Sequence, residues 1–466
     1  MDLADEATRA AVTARLAELY ADRPVLLGPG ILAGYLGTVT DLVARGCPVL
    51  VVSTGRGAGP VPDADACTVI EIELPPTASM TEEVRVLDRA IRSLPPEAVA
   101  VIEAFDPERR GIWRTSPFIT DEPILDRPVT GGRPASHLAL EDKMLADGIW
   151  TAAGVEHAPH LIVECDRTAL ATATAELDTA LGVVWSGDAR DGLNGGGNFV
   201  RWVRDEDDQA AAFAFFAPRC DRVRVLPFLD GVPCSIHGFV LPGGPGGTAT
   251  FRPVELAILR QVSDRRFVYG GLSTWWDPPV ADREAMRDVA RRVGDHLAAA
   301  HDYRGAFGID GVLTVDGFRP TELNTRMSAG VSTIAAVDPD FFSLLNANLV
   351  AGVDTGLGVG DLETLLPLMD ARRHGRPSAV GQGVSVGGTF TYDVGYDGAV
   401  LTQVGHSTGS ELMAADTPVG FFAKIDPCRL IAPGERLAPL NVALLAHLDS
   451  TYGTGFGPLE AAPDLR

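Results

Sequence analysis

Between Gly305 and Gly330 the chain reads GAFGIDGVLTVDGFRPTELNTRMSAG, which sets two carboxylates, an amide and a guanidinium on two short apolar segments. Strands are predicted over 307–314 and 318–324, joined at Val315-Asp316-Gly317, because Asp-Gly is a strong hairpin turn signal. On the second strand Glu322, Asn324 and Arg326 alternate with Leu323 and Thr325, so the two-residue period sends three polar side chains to one face. The hairpin brings Asp310 beside them. Two carboxylates and an amide oxygen on adjacent strands form a hard-oxygen cradle suited to magnesium, and Arg326 can fork onto a carboxylate or phosphate. A solvent-exposed hairpin face would alternate charges too. Next to Phe307, Ile309, Val312 and Leu313, however, such a row is costly without bound ions.

This string resembles the magnesium-binding hairpin of the ATP-grasp superfamily. The resemblance implies that Glu322 bridges two magnesium ions, that Asp310 and Asn324 take one each, and that Arg326 orients an acyl phosphate or the substrate carboxylate. Glu141-Asp142-Lys143, ahead of Gly154-Val-Glu-His-Ala-Pro159, resembles the family's phosphate-binding lysine before a Gly-Val-x-x-x-Pro turn, so Lys143 is expected to hold the α- or β-phosphate of ATP. Asn194-Gly195-Gly196-Gly197-Asn198 resembles the glycine loop that closes over the phosphates, where a missing Cβ lets backbone N–H groups approach oxygen; an ordinary glycine-rich turn is the alternative. Residues 225–236 resemble the hinge strand, with Leu226, Phe228 and Leu229 offering backbone contacts to adenine and Asp230 a partner for the ribose. The family's second lysine, on the strand before the glycine loop, is replaced by Val183-Val-Trp-Ser-Gly187, which leaves Arg190 or Arg201 to restore the charge, or the backbone and metal alone. Arg252 and Glu255 border the acceptor site in this layout and are candidate substrate contacts, with exposed structural charges as the bland alternative.

The elements that must position these groups follow an α/β then α+β order. Strands over 24–27, 48–52, 68–72 and 98–103 alternate with helices over 31–45 and 81–93, the pattern of an open parallel sheet. The first Gly-x-Gly lies one residue off the dinucleotide fingerprint and no acidic residue ends the second strand, which disfavours NAD. A Pro-, Asp- and Gly-rich linker over 115–134 precedes a helix over 136–153. The expected division is a Rossmann-like preATP-grasp domain at 1–134, a two-lobed ATP-grasp domain at 135–350 (lobes 135–225 and 226–350), and a small β-rich C-terminal domain at 351–466 contributing to the second lobe.

The bulk composition agrees with an enzyme of several domains: 466 residues exceed a single core, and 39 Lys plus Arg against 62 Asp plus Glu give a net charge of −23. That sign repels nucleic acid and anionic membranes. Six scattered cysteines without a CxxC pair argue against zinc or a disulfide framework, and the absence of an apolar signal or spanning run leads to a cytoplasmic expectation. The expected activity is a carboxylate-amine ligase using ATP and magnesium, with small-molecule acid and amine substrates. A homodimer is compatible with it, and the resemblance extends to peptide ligases of natural-product pathways. The rivals are a biotin-carboxylase-like enzyme, whose Gln-Val-Glu-His run is here Met327-Ser-Ala-Gly330, and a non-ligase ATP-binding regulatory protein.

Overall fold

The computed structural model describes the chain except residues 58, 76, 78, 79, 193, 196, 264, 418 and 419 and the side chain of residue 80. Among the described residues the strands form three sheets. The first is parallel and five-stranded, in the spatial order Thr68–Glu71, Val49–Gly55, Val25–Ile31, Ile112–Arg114, Val129–Thr130. Its central strands are continuous apolar runs, Val-Leu-Leu and Val-Leu-Val-Val, because helices cover both faces and no side chain meets water.

Residues 98–103, expected as a strand, lie inside the helix Pro96–Phe105. Pro96 sits in the first turn, where its missing N–H has no intrahelical partner to lose, and Ala98 and Ile102 fall on one buried face at i, i+4. The parallel strand comes from Ile112–Arg114 instead. The linker is also firmer than its composition suggests: Val129–Thr130 joins the sheet, and wholly buried Arg127 donates to Asp106 Oδ2 at 2.7 Å.

The second sheet is antiparallel, ordered Leu161–Glu164, Arg222–Pro227, Val183–Gly187, Val200–Val203. It packs Val183, Trp185, Val223 and Val225 against Leu170 and Ala173 of the helix Arg167–Leu177 and Ala212 and Phe216 of the helix Glu206–Phe216. The third sheet runs Gly317–Asn324, Gly305–Thr314, Val232–Val240, Val254–Gln261, Phe267–Ser273, and continues without a break through Gly375–Gln382, Gly420–Ile425, Glu411–Thr417, Thr389–Tyr396 and Leu401–Gln403. The long helix Val280–His301 covers the first part with Met286, Ala290, Val293 and Leu297. The C-terminal β segment is therefore the far half of the second lobe's own sheet. No helix among the described residues is long and apolar enough to cross a membrane.

Two candidate substrate residues prove to be structural. Arg252 is buried and donates to Asp370 at 2.8 Å and Asp277 at 2.9 Å. Glu255 is wholly buried; it accepts from Arg436 Nε at 2.6 Å and from the backbone N–H groups of Leu437 at 2.6 Å and Ala438 at 3.2 Å, which cap the helix Leu437–Tyr452. Arg252 reaches Asp277, 25 residues on, and Asp370, 118 on, and Glu255 reaches Arg436, 181 on, so no local pattern announces them. Removing one partner of a buried pair strands the other, so Glu255→Ala is expected to lower unfolding free energy by about 3–5 kcal/mol. Urea denaturation checks this, and a loss below about 1 kcal/mol would contradict the capping role.

Candidate functional site

The hairpin forms as the sequence predicts. Asp310 stands directly opposite Glu322, and the register then slips so that Gly311 faces Pro320, leaving Thr321 as the extra residue of a bulge. Pro320 has no N–H for the ladder, which favours the irregularity there. Thr321 turns its backbone carbonyl to Arg224 Nη1 at 2.9 Å and its hydroxyl to the carbonyl of Asp310 at 3.2 Å. Asn324 Nδ2 donates to Asp310 Oδ2 at 3.0 Å, which fixes the amide and leaves its oxygen for another partner. Burial and the neighbouring Glu322 charge push the Asp310 carboxyl well above its usual range, partly offset by Asn324, Lys143 and Ser235. Oxygen donors crowded enough to disfavour their own charge are a good match for a divalent cation.

Lys143 completes this end of the site, with Nζ 3.0 Å from Glu322 Oε1. It is not mid-helix. The expected helix over 136–153 is split into Ala135–Ala139 and Lys143–Ala152, because Asp142 accepts from the Met144 N–H and starts a new helix. Lys143 is thereby the first residue of that helix, aimed at the hairpin.

Behind Asp310 lies Ser235, opposite it on the neighbouring strand, and Ser235 Oγ is 3.1 Å from His237 Nε2. His237 is wholly buried, and burial drives its pKa down to about 3. Gly308 and Gly330 close against its ring so tightly that a Cβ on Gly330 would lie 2.2 Å from Nε2.

These groups occupy one end of a cleft of about 620 Å³ between the two lobes. The opposite end is aromatic. Residues 228–231 link the lobes, and the Phe228 ring stacks on Trp202 at 4.6 Å with the Arg260 guanidinium 4.9 Å above it. Leu226 and Leu229 line the cleft. The Phe228 N–H already donates to Gly182 O at 2.9 Å, so Phe228 offers its ring and carbonyl here. Asp230 is bound to Arg260 Nη2 at 2.5 Å, a partner the sequence did not announce.

The glycine loop joins Val183–Gly187 to Val200–Val203, and positive φ values at Gly192 and Gly197 (101° and 71°) demand glycine there. Gly195 and Gly197 line the cleft; Gly196 lies outside the described residues. The loop is tied to the first domain: Thr81 Oγ1 donates to Gly195 O at 3.0 Å, and Asn198 Nδ2 donates to Thr81 Oγ1 at 3.0 Å. Of the arginines proposed to restore the missing charge, Arg190 pairs with Asp221 at 3.2 Å and Arg201 lies over the Phe215 ring at 3.8 Å; neither lines the cleft. Arg224 does. It stands across from Ser186 on the adjacent strand, and Asp147 grips it at 2.5 and 2.6 Å. Arg326 also lines the cleft, above the Phe118 ring at 4.9 Å and ion-paired to buried Glu141. Arg224 and the role of Glu141 escaped sequence reasoning because each is defined by a tertiary partner.

No protein-family model and no curated protein sequence matches the chain. Solved structures do. The biotin carboxylase domain of the 2-oxoglutarate carboxylase from Hydrogenobacter thermophilus superposes with a TM-score of 0.54 at 13% identity, over 95% of this chain and 91% of that one. Phosphoribosylamine-glycine ligase from Thermotoga maritima gives 0.53 at 14% identity, over 91% and 95%. An L-amino acid ligase from Bacillus licheniformis gives 0.50 at 15%, over 87% and 93%. The chain has the ATP-grasp fold.

His237 carries a pH consequence. Its folded pKa lies below the unfolded value, so between about pH 6.5 and pH 3 the unfolded chain binds the extra proton and stability falls as pH falls. From pH 6.5 to pH 5 this group is expected to remove about 2 kcal/mol of stability. Comparing chemical denaturation of the wild type and His237→Gln across that range tests it, since the variant should lose this component of the slope.

Proposed function

We propose that this protein is an ATP-dependent carboxylate-amine ligase that forms an amide or peptide bond through an acyl phosphate and releases ADP and phosphate. The observation that carries the reading is the convergence of Asp310, Glu322, Asn324 and Lys143 at one end of an interlobe cleft with an aromatic, hydrophobic opposite end. Asp310, Glu322 and Asn324 would hold magnesium, which would neutralise and align phosphate oxygens there.

The chain's own residues do the rest. Lys143 offers its ammonium to the phosphates, and Gly195 and Gly197 present backbone without a Cβ to them. Phe228, with Leu226 and Leu229, supplies the face for the adenine, and Asp230 can serve the ribose once Arg260 yields it. Arg326 forks onto the substrate carboxylate, steadying it for in-line attack on the γ-phosphorus, and then onto the acyl phosphate while the amine nitrogen attacks the carbonyl carbon. Closing the cleft keeps water from the labile intermediate. For the substrates we propose amino acids or peptides, in keeping with the fold shared with an L-amino acid ligase, and a place in natural-product assembly. For the domains we propose a leading domain at 1–134, two lobes at 135–225 and 226–350, and a C-terminal segment at 351–466 that contributes to the second lobe.

The test is phosphate release from MgATP against a panel of amino acids paired with amines, with mass spectrometry of the product. Release that needs both an acid and an amine is expected; release that needs neither would refute ligation. Glu322→Ala should cut turnover by about 1000-fold, because the metal supplies several kcal/mol of charge stabilisation. Full activity in that variant would overturn the metal assignment.

A further inference from the structure

Three charged side chains stand in line behind the wall of the cleft. Arg326 lines the cleft and also borders a second cavity of about 430 Å³, so its guanidinium sits at the partition between the two. Behind it the Glu141 carboxylate, with a side chain only 1% exposed, pairs through Oε2 with Arg326 and through Oε1 with Arg133 Nη1 at 2.6 Å. Arg133 is anchored in turn: Nη1 donates to the Thr325 carbonyl at 2.6 Å and Nε to the Pro117 carbonyl at 2.6 Å, while Nη2 is buried without a partner among the described residues.

The charges do not cancel. Two guanidiniums share one carboxylate, and no second carboxylate pairs with either arginine among the described residues. A buried surplus charge is costly unless an anion joins it, and Arg326, 15% exposed against 3% for Arg133, is the member a ligand can reach. A free arginine side chain must also surrender rotamer entropy when it binds; tethered to Glu141 and seated over Phe118, Arg326 has surrendered much of it beforehand. The same tripeptide serves both halves of the site. Glu141 holds Arg326, Lys143 meets Glu322, and Asp142 between them caps the helix that fixes their directions.

The geometry points to Glu141 as a positioning residue: backed by Arg133, it presents the Arg326 guanidinium as a preformed receptor for the oxyanion of a phosphate or carboxylate. This deepens the ligase reading, and rests on it only for which oxyanion arrives during turnover.

Inorganic phosphate is a suitable probe, titrated calorimetrically into the full-length protein with MgADP present. In Glu141→Gln, phosphate binding is expected to weaken at least tenfold while MgADP affinity stays within about twofold. The double variant Arg133→Gln/Glu141→Gln has the wild-type charge count but no tether, and it avoids the like-charge repulsion that could unfold the single variant. It should remain as weak as Glu141→Gln. Wild-type phosphate affinity in either variant, or no phosphate binding by the wild type, overturns the assignment. A failure of the ligase reading would show separately, as phosphate release from MgATP that needs neither acid nor amine or as absent MgADP binding; in the latter case the same phosphate comparison without nucleotide decides on Glu141 alone.

Discussion

Asp310 and Glu322 face each other across hydrogen-bonded strands, and burial together with the Glu322 charge makes the Asp310 charge harder to hold. Much of the surrounding structure answers that repulsion. Lys143 is delivered to Glu322 by a helix that starts where Asp142 can cap it, Asn324 donates to Asp310, and Ser235 lies against the same carboxylate. His237, next in that row, is held neutral by burial and so adds no charge. Positive charge is instead gathered along the cleft, on Lys143, Arg224, Arg260 and Arg326, in a chain whose overall sign is strongly negative. A polyanionic ligand would meet a local field opposite to the global one.

All four cations pair with acids: Lys143 with Glu322, Arg224 with Asp147, Arg260 with Asp230, and Arg326 with Glu141. Such pairing keeps a guanidinium fixed without quenching all of its donors, since a planar fork has five. The glycine loop is restrained differently, through Thr81 at the start of a helix in the leading domain. The parallel-sheet domain thus contributes to the cleft directly as well as through the linker that carries Arg133.

How much of this was legible in the sequence depended on how local the cause was. The Asp310–Glu322 hairpin was, because Asp-Gly turns and two-residue alternation act within a few residues. The parallel sheet was legible except at 98–103, where an apolar run fits helix and strand alike and Pro96 settles it for helix, and at Val129–Thr130, which lay in a stretch read as linker. The start of the helix at Lys143 was missed although its signal, Asp142, was in plain view; the longer apolar pattern hid it. The roles of Arg252, Glu255, Arg224 and Glu141 were out of reach, since each depends on a partner chosen by the fold.

The unbroken sheet from the hairpin to the C-terminal strands bears on how such a protein could be reshaped. Gly375–Gln382 is hydrogen-bonded along Phe267–Ser273, and Glu255 of the neighbouring strand caps the last long helix. The C-terminal segment is thus no detachable cassette. Exchanging it between related chains would bare a long sheet edge and orphan a buried acid, so inheritance of this region should travel with the lobe that holds the cleft.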